Sequence, residues 1–189
     1  MMILQKGRSH YLSFVLLSLI LTSCLARPDR NARVYRSPKP STAIDKKSSG
    51  ASLLTNYAQV LGIDPSELED IRLYAFIDEW MGVPHSLGGQ TKGGIDCSAF
   101  INHLYNEVYE KPLPRSSYNM AEEIKRKYEN QLVEGDLVFF SFGKKNIDHV
   151  GLYLRNNKFV HVSTTKGVMI SDLHESWFYK YFVRAGSVR

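Results

Sequence analysis

The sequence lacks the features that mark a disulfide-stabilised, membrane-spanning or repetitive protein. Only two cysteines, Cys24 and Cys97, occur in 189 residues, and each lies in a context that indicates a function other than a bond to the second. The apolar run at residues 11–21 is too short to cross a bilayer, which requires about 20 such residues. The glycine-rich stretch at residues 88–94 has neither phosphate-loop nor dinucleotide spacing, and the chain has no internal repeat.

The amino terminus has the layout of a secretory signal, because two basic residues precede the apolar run. The run ends in Leu-Thr-Ser-Cys at residues 21–24, which resembles the lipobox of bacterial lipoproteins. This resemblance implies cleavage before Cys24 and lipidation of its thiol and its new amino group. An ordinary signal with Cys24 as a passenger is the alternative, but the cysteine falls where a lipobox needs it. We therefore expect a signal peptide at residues 1–23 and a lipid-anchored protein of the bacterial cell envelope.

Charge is unevenly distributed along the rest of the chain. Residues 25–50 carry seven basic and two acidic residues, whereas residues 51–189 carry fifteen basic and seventeen acidic residues. A segment that is basic and poor in apolar residues cannot bury enough surface to fold, so residues 24–50 are predicted to form a flexible tether beside an anionic membrane. Because the basic excess lies outside the predicted domain, no nucleic-acid partner is expected.

Residues 51–189 are predicted to form one α+β domain, with helices at 51–81 and a catalytic core at 82–189. A capping box at Asp64 predicts a helix that extends to about Met81, and an amphipathic stretch predicts a short helix before it. The predicted buried residues of the longer helix, from residue 64 to about Met81, are Leu68, Ile71, Phe76 and Trp80. The remaining predicted elements are a helix over residues 95–110 and strands over residues 136–142, 149–154, 158–163, 168–171 and 181–184. The strands are expected to form a mostly antiparallel sheet.

Cys97 lies at the start of the helix predicted over residues 95–110. It begins an apolar stripe that continues with Ile101, Leu104 and Val108 at helical spacing. The helix dipole and the free N–H groups at this end favour a thiolate and are expected to lower the pKa of Cys97. Because cysteine is also common in protein cores, position alone leaves a structural role equally open.

The two strands that follow residue 148 are predicted to form a hairpin with one favoured register. A three-residue turn at residues 155–157 places the alternating apolar residues of both strands on one face, whereas a two-residue turn separates them. The favoured register pairs His161 with Gly151. It also brings His149 and His161 together on the opposite face.

A thiol at a helix start and two adjacent histidines can supply a nucleophile, a base and a group that orients the base. These roles fall to Cys97, His149 and His161, since Asp148 points to the other face of its strand. A zinc site formed by the same three residues is the chemical alternative. It is disfavoured because the chain lacks the spaced ligand pairs that are typical of metal sites.

These residues resemble the NlpC superfamily of cell-wall cysteine peptidases, and among its members the lipoprotein murein endopeptidases most of all. The resemblance covers roughly residues 80–188. Its five blocks, in order, are GGIDCS at 93–98, LPRSS at 113–117, EGDLVFF at 134–140, HVGLYL at 149–154 and KFVHVS at 158–163. It implies a papain-like fold with Cys97 as nucleophile, His149 as base and His161 as polar third member.

The resemblance also implies the substrate, which is peptidoglycan hydrolysed at a peptide bond of its stem peptides or cross-links. The D,D cross-link is favoured, and the bond after D-glutamate is the alternative. A catalytically inactive wall-binding module is a further alternative, against which the intact cysteine and histidines argue. Neither a metal nor a cofactor is implied, and a monomer is expected.

Substrate contacts are expected for five residues, which are His85, Asp96, Ser98, Arg115 and Ser116. For Arg115 and Ser116 an ordinary turn is the alternative. His85 stands where the family usually has Tyr, so the preference for one bond does not transfer directly. Asp96 is expected either to cap the helix or to contact substrate, or to do both. The remaining departures from the family pattern are Leu87 in place of Trp and Ala99 in place of Gly.

Overall fold

The computed structural model describes residues 46–143 and 145–189. The predictions for the signal peptide, for Cys24 and for the tether up to residue 45 lie outside the described residues. Within the described ranges, no helix combines the length and the apolar character that a membrane crossing requires.

Helices occupy mainly the first half of the described chain. They are α1 (Lys46–Leu61), α2 (Ile71–Trp80), α3 (Cys97–Tyr109), α4 (Ser117–Glu122) and α5 (Ser176–Tyr181), with 3-10 turns at Pro65–Glu67 and Glu129–Gln131. Helix α1 begins inside the segment that the sequence assigned to the tether. Gly50 in this part of α1 is buried, and its lack of a side chain leaves room for the Ile71 side chain at the start of α2.

The single helix predicted from residue 64 to Met81 was wrong, because two elements share this stretch. The Asp64 capping box is present, but it starts only the 3-10 turn, and Leu68 then adopts an extended conformation with φ −99° and ψ 116°. A second cap at Asp70, which accepts hydrogen bonds from the N–H groups of Arg72 and Leu73, starts α2. Leu68, Phe76 and Trp80 are buried as predicted, whereas Ile71 is exposed.

The second half of the chain forms a six-stranded antiparallel sheet in the order β3-β8-β4-β5-β6-β7. Its strands are β3 (Ile124–Lys127), β4 (Leu137–Phe140), β5 (His149–Tyr153), β6 (Lys158–Ser163), β7 (Gly167–Asp172) and β8 (Phe182–Val188), and a separate pair comprises β1 (Gln90–Thr91) and β2 (Gly94–Ile95). The prediction of an α+β fold with helices first and a mostly antiparallel sheet after them is confirmed.

The hairpin register predicted for β5 and β6 is confirmed. Leu152 pairs with Val160, and Tyr153 pairs with Phe159. The same register places Gly151 opposite His161. The N–H of Leu154 donates to the carbonyl of Lys158 at 2.8 Å and closes a three-residue turn at residues 155–157. Two of the turn residues, Asn156 and Asn157, have φ values of 49° and 60°, a left-handed conformation that asparagine tolerates better than most residues.

The sheet has an apolar cluster on each face. Helix α3 packs on β5 and β6, where the alternating residues Val150, Leu152 and Val160 join the main core. On the opposite face, Phe140 and Phe159 belong to a second cluster, against which Phe178 of α5 packs. The histidines share the alternation of this second face, so they have aromatic neighbours.

Candidate active site

The N-terminus of α3 carries Cys97 to the edge of the sheet. Asp96 caps the helix, and its Oδ1 accepts a hydrogen bond from the N–H of Ala99 at 2.8 Å. The stripe of Ile101, Leu104 and Val108 is buried, as predicted, and holds the helix against the core. Cys97 itself is a free thiol that is partly exposed. Its sulfur lies against the backbone N–H of Val150, so the thiol sits beside the residue that follows His149.

The two histidines meet in a defined geometry. Nε2 of His149 lies 3.0 Å from Nδ1 of His161, and the two rings are nearly perpendicular, with centroids 5.1 Å apart. His149 is partly exposed, whereas His161 is 3% exposed. The contact uses Nε2 of His149, so Nδ1 is the nitrogen left for a proton from a thiol.

A residue that the sequence did not single out, Ser171 on β7, completes this chain of contacts. Its Oγ lies 3.0 Å from Nε2 of His161, and Ser171 is 6% exposed. The strand register pairs Ser171 with Phe159 and Met169 with His161, which puts the serine diagonally beside the histidine on one face. The alternation of the strand predicted over residues 168–171 could have indicated this neighbour only if the register between β6 and β7 had been predicted as well.

Burial dominates the electrostatics of the thiol and of its base. It raises the pKa of Cys97 to about 11, although N–H groups, that of Val150 foremost, act in the opposite direction. It lowers the pKa of His149 to about 4 and holds the pKa of His161 well below its usual range. The expected lowering of the Cys97 pKa was therefore wrong, because loss of solvation outweighs the helix N–H groups. The pair rests as thiol and neutral imidazole at neutral pH.

Three of the five residues expected to contact substrate form one hydrogen-bonded network. The Arg115 guanidinium donates to both carboxylate oxygens of Asp96, at 2.9 Å and 2.7 Å. Ser98 donates to Oδ1 of Asp96 at 3.0 Å and accepts from Arg115 at 2.9 Å. The N–H of Gly88 donates to the other oxygen of Asp96 at 3.1 Å. Asp96 thus joins the start of α3 to the glycine-rich loop and to the segment that holds Arg115.

This network changes how Asp96 is interpreted. Burial raises its pKa, but hydrogen bonds from Arg115, Ala99 and Ser98 act more strongly and hold it below the ordinary value. The capping role predicted for Asp96 is confirmed. Because both of its oxygens already accept hydrogen bonds, contact with substrate stays a prediction, as it does for Ser98 and Arg115.

The other two expected contacts, His85 and Ser116, occupy different environments. His85 is half-buried, bridges to Ile95 and lies close enough to His149 to lower the pKa of that residue. Ser116 is exposed, and its hydroxyl accepts from the N–H of Asn119 at 3.2 Å as the N-cap of α4. The structure therefore brings His85 to the histidine pair and gives Ser116 a capping role.

The arrangement of ligands also bears on the zinc alternative. In residues 46–143 and 145–189, no group of three or more His, Cys, Asp or Glu side chains is placed to hold a metal ion. The facing nitrogens of His149 and His161 are directed at each other, whereas ligands of one ion would direct their lone pairs at a common point.

Comparison with known proteins agrees with these observations. A model of the NlpC/P60 family matches residues 82–187. The murein DD-endopeptidase MepS/murein LD-carboxypeptidase of Escherichia coli K12 is 44% identical over 110 residues, which are 58% of this chain and 58% of that protein. The chain thus spans little more than half the length of that relative.

Solved structures share the fold. An NlpC/P60 family protein from Bacillus cereus ATCC 10987 is 21% identical, with a TM-score of 0.54 over 80% of this chain and 41% of that one. RipD from Mycobacterium tuberculosis, described as a non-catalytic NlpC/p60 domain protein adapted to peptidoglycan binding, is 25% identical, with a TM-score of 0.50 over 62% of this chain and 95% of that one. These likenesses establish the fold.

Proposed function

The chain belongs to the NlpC/P60 family, and we propose that it is a membrane-anchored cysteine endopeptidase that hydrolyses peptide bonds in peptidoglycan. The observation that carries the proposal is that Cys97, at the start of α3, lies against the backbone N–H of Val150, the residue that follows His149 of the His149–His161 pair. The second candidate, an inactive wall-binding module, has a precedent in RipD. The presence of the free Cys97 thiol and of both histidines, with His149 in contact with His161, favours the enzyme.

In the first half of the reaction, Cys97 becomes acylated by the substrate. Nδ1 of His149 takes the thiol proton as the sulfur attacks the peptide carbonyl carbon, which is necessary because the resting thiol has a raised pKa. The backbone N–H of Cys97, together with His85, stabilises the oxyanion. His149 then donates the proton to the leaving nitrogen, the C–N bond breaks, and a thioester on Cys97 remains.

In the second half, water hydrolyses the thioester. His149 accepts a proton from the water as its oxygen attacks the thioester carbonyl, and the C–S bond breaks. The proton returns to the sulfur, so the products are a carboxylic acid, which then ionises in water, an amine and the regenerated thiol. His161 keeps the His149 ring oriented through both halves, because the bond to Nε2 leaves Nδ1 directed away from it.

The D,D cross-link between stem peptides is the bond that we favour. The similar Escherichia coli protein is named as a DD-endopeptidase, which supports this choice for a chain that is 44% identical over 110 residues. The bond after D-glutamate is the alternative. His85 lies beside the catalytic base, so it is the residue through which the preference would differ.

A defined cross-linked muropeptide tests both the activity and the bond. The full-length chain is incubated with a dimer of two tetrapeptide stems, and the products are identified by mass spectrometry. D,D cleavage gives two tetrapeptide monomers, whereas cleavage after D-glutamate leaves dipeptide stems. Products of the second kind alone would contradict the D,D assignment. Products that Cys97→Ala forms equally well would contradict the cysteine mechanism.

The proposed anchor rests on the sequence before residue 46. The Leu-Thr-Ser-Cys ending of the signal and the basic residues after it support lipidation of Cys24 and attachment to a membrane of the cell envelope. Labelled palmitate should be incorporated into the wild type and not into Cys24→Ala. Equal labelling of both proteins would contradict this proposal and would leave the proposed activity unaffected.

A further inference from the structure

Ser171 ends a chain of two hydrogen-bonding contacts that begins at the catalytic base. Nε2 of His149 lies 3.0 Å from Nδ1 of His161, and Nε2 of His161 lies 3.0 Å from Oγ of Ser171. His161 and Ser171 are both buried. The chain links β5, β6 and β7, so its geometry is set by the sheet.

The protons in this chain can point in two directions, because a neutral imidazole has one N–H donor and one acceptor nitrogen. In the first direction, His149 donates from Nε2 to His161, which donates from Nε2 to Ser171. Nδ1 of His149 then carries a lone pair and can accept the thiol proton. In the second direction, Ser171 donates to His161, which donates from Nδ1 to His149. Nδ1 of His149 then carries the proton, and the base is disabled.

The surroundings of His161 make Ser171 the acceptor on which the first direction depends. Phe159 stacks on the His161 ring at 4.9 Å between centroids, and Phe178 of α5 meets it edge-on at 5.2 Å. These rings provide no lone pair for an N–H at Nε2. A buried N–H without an acceptor is unfavourable, so loss of the serine oxygen would drive the proton of His161 to Nδ1.

We propose that Ser171 is a positioning residue that holds His161, and through it His149, in the Nε2–H tautomer required of the catalytic base. This inference rests on the proposed cysteine endopeptidase function. It assigns to Ser171 a role in the direction of a hydrogen-bond chain rather than in contact with substrate.

Ser171→Thr and Ser171→Val form the matched pair for the test, because they have nearly the same shape and differ in the hydroxyl group. Both fit a strand by propensity. In the full-length chain we expect Ser171→Val to lower kcat about 10–100-fold with KM unchanged, and Ser171→Thr to stay within about threefold of the wild type. In ¹⁵N-labelled protein, the ring nitrogens of His149 and His161 should report Nε2–H in the wild type and in Ser171→Thr, and Nδ1–H on His161 in Ser171→Val.

Equal kcat values in Ser171→Thr and Ser171→Val, whether high or low, would overturn the proposal, as would unchanged tautomers in Ser171→Val. If the valine variant does not fold by circular dichroism, Ser171→Ala takes its place with the same expected tautomer change. The NMR measurement needs no substrate. A wild type that does not cleave peptidoglycan would therefore contradict the proposed function, while the tautomers would still decide the role of Ser171.

Discussion

Gly151 and His161 face each other across β5 and β6, and the missing side chain of the glycine leaves room for the histidine. A Cβ at position 151 would lie 3.3 Å from Cβ of His161 and 2.9 Å from the carbonyl oxygen of Val160. The second contact is with backbone, which cannot move aside without disturbing the strand. The position of the His161 ring beside His149 therefore depends on a glycine in the neighbouring strand.

Substitution of Gly151 by alanine should reduce both stability and activity. The added methyl group must displace β6, and such overpacking costs about 1–3 kcal/mol in the free energy of unfolding. Gly93→Ala is the control, because a Cβ there would meet only Thr91 Oγ1 at an ordinary 3.6 Å. The free energy of unfolding from chemical denaturation and kcat should both be lower for Gly151→Ala than for Gly93→Ala. Equal stability of Gly151→Ala and Gly93→Ala would contradict the packing described for the hairpin.

Alkylation of Cys97 should depend on pH in a way that reveals a resting thiol. Burial raises the pKa of Cys97 to about 11, so the thiolate fraction, and with it the rate of reaction with iodoacetamide, should rise about tenfold per pH unit between about pH 6 and 9. A short unstructured peptide that contains one cysteine is the control, and its rate should begin to level off near the pKa of its thiol, about 8.5. A Cys97 rate that is flat over this range would indicate a preformed thiolate–imidazolium pair.

The pKa of His149 predicts the pH below which hydrolysis should slow. Burial lowers the pKa of His149 to about 4, so the imidazole is neutral and can act as base above that value. We expect kcat/KM to fall only below about pH 5, as His149 becomes protonated. A fall centred near the ordinary histidine value of about 6.5 would contradict the environment described for His149.

Removal of the Asp96 carboxylate should destabilise the domain. Asp96→Ala loses the cap of α3 and leaves Arg115 without its carboxylate, at a cost of about 1–3 kcal/mol in the free energy of unfolding. Asp96→Asn keeps an acceptor for the N–H of Ala99, so its loss should be smaller. Urea denaturation of both variants against the wild type measures this order, and a larger loss in Asp96→Asn would contradict the capping role.

The difference between wild type and Asp96→Asn should also depend on pH. The folded pKa of Asp96 is below its ordinary value, so the carboxylate contributes stability that is fully present above the unfolded pKa of about 3.9. This contribution is lost as the pH falls through the folded pKa. A difference that instead grew on acidification would show that the charged form is not the stabilising one.

The sequence was sufficient to predict the parts of the site that follow from local pattern. The spacing of Cys97 with Ile101 and Leu104 predicted the helix and its buried face. The alternation of β5 and β6 allowed one register that buries both apolar sets, and this register brought His149 to His161. In each case a single periodicity linked the functional residue to the core.

What the sequence did not predict depends on contacts between distant segments. Ser171 becomes a partner of His161 only through the β6–β7 register, and α5 carries Phe178 to the rings although its own six residues have little helical signal. The pKa of Cys97 was predicted in the wrong direction, because the sequence showed a thiol at a helix end on an apolar stripe but not that loss of solvation would outweigh the helix N–H groups. The break between the turn at residue 65 and α2 was missed, since the Asp64 capping box was assigned to a longer helix.

The most direct test of the account compares the wild type with Cys97→Ala on purified peptidoglycan, with and without a chelator. Mass spectrometry of the soluble muropeptides should show products of the wild type both with and without the chelator, and none of Cys97→Ala, because attack by the Cys97 thiol on the peptide carbonyl is the step that breaks the C–N bond. Circular dichroism confirms that both proteins are folded. Identical products from the two proteins, or loss of wild-type products to the chelator alone, would contradict a cysteine endopeptidase.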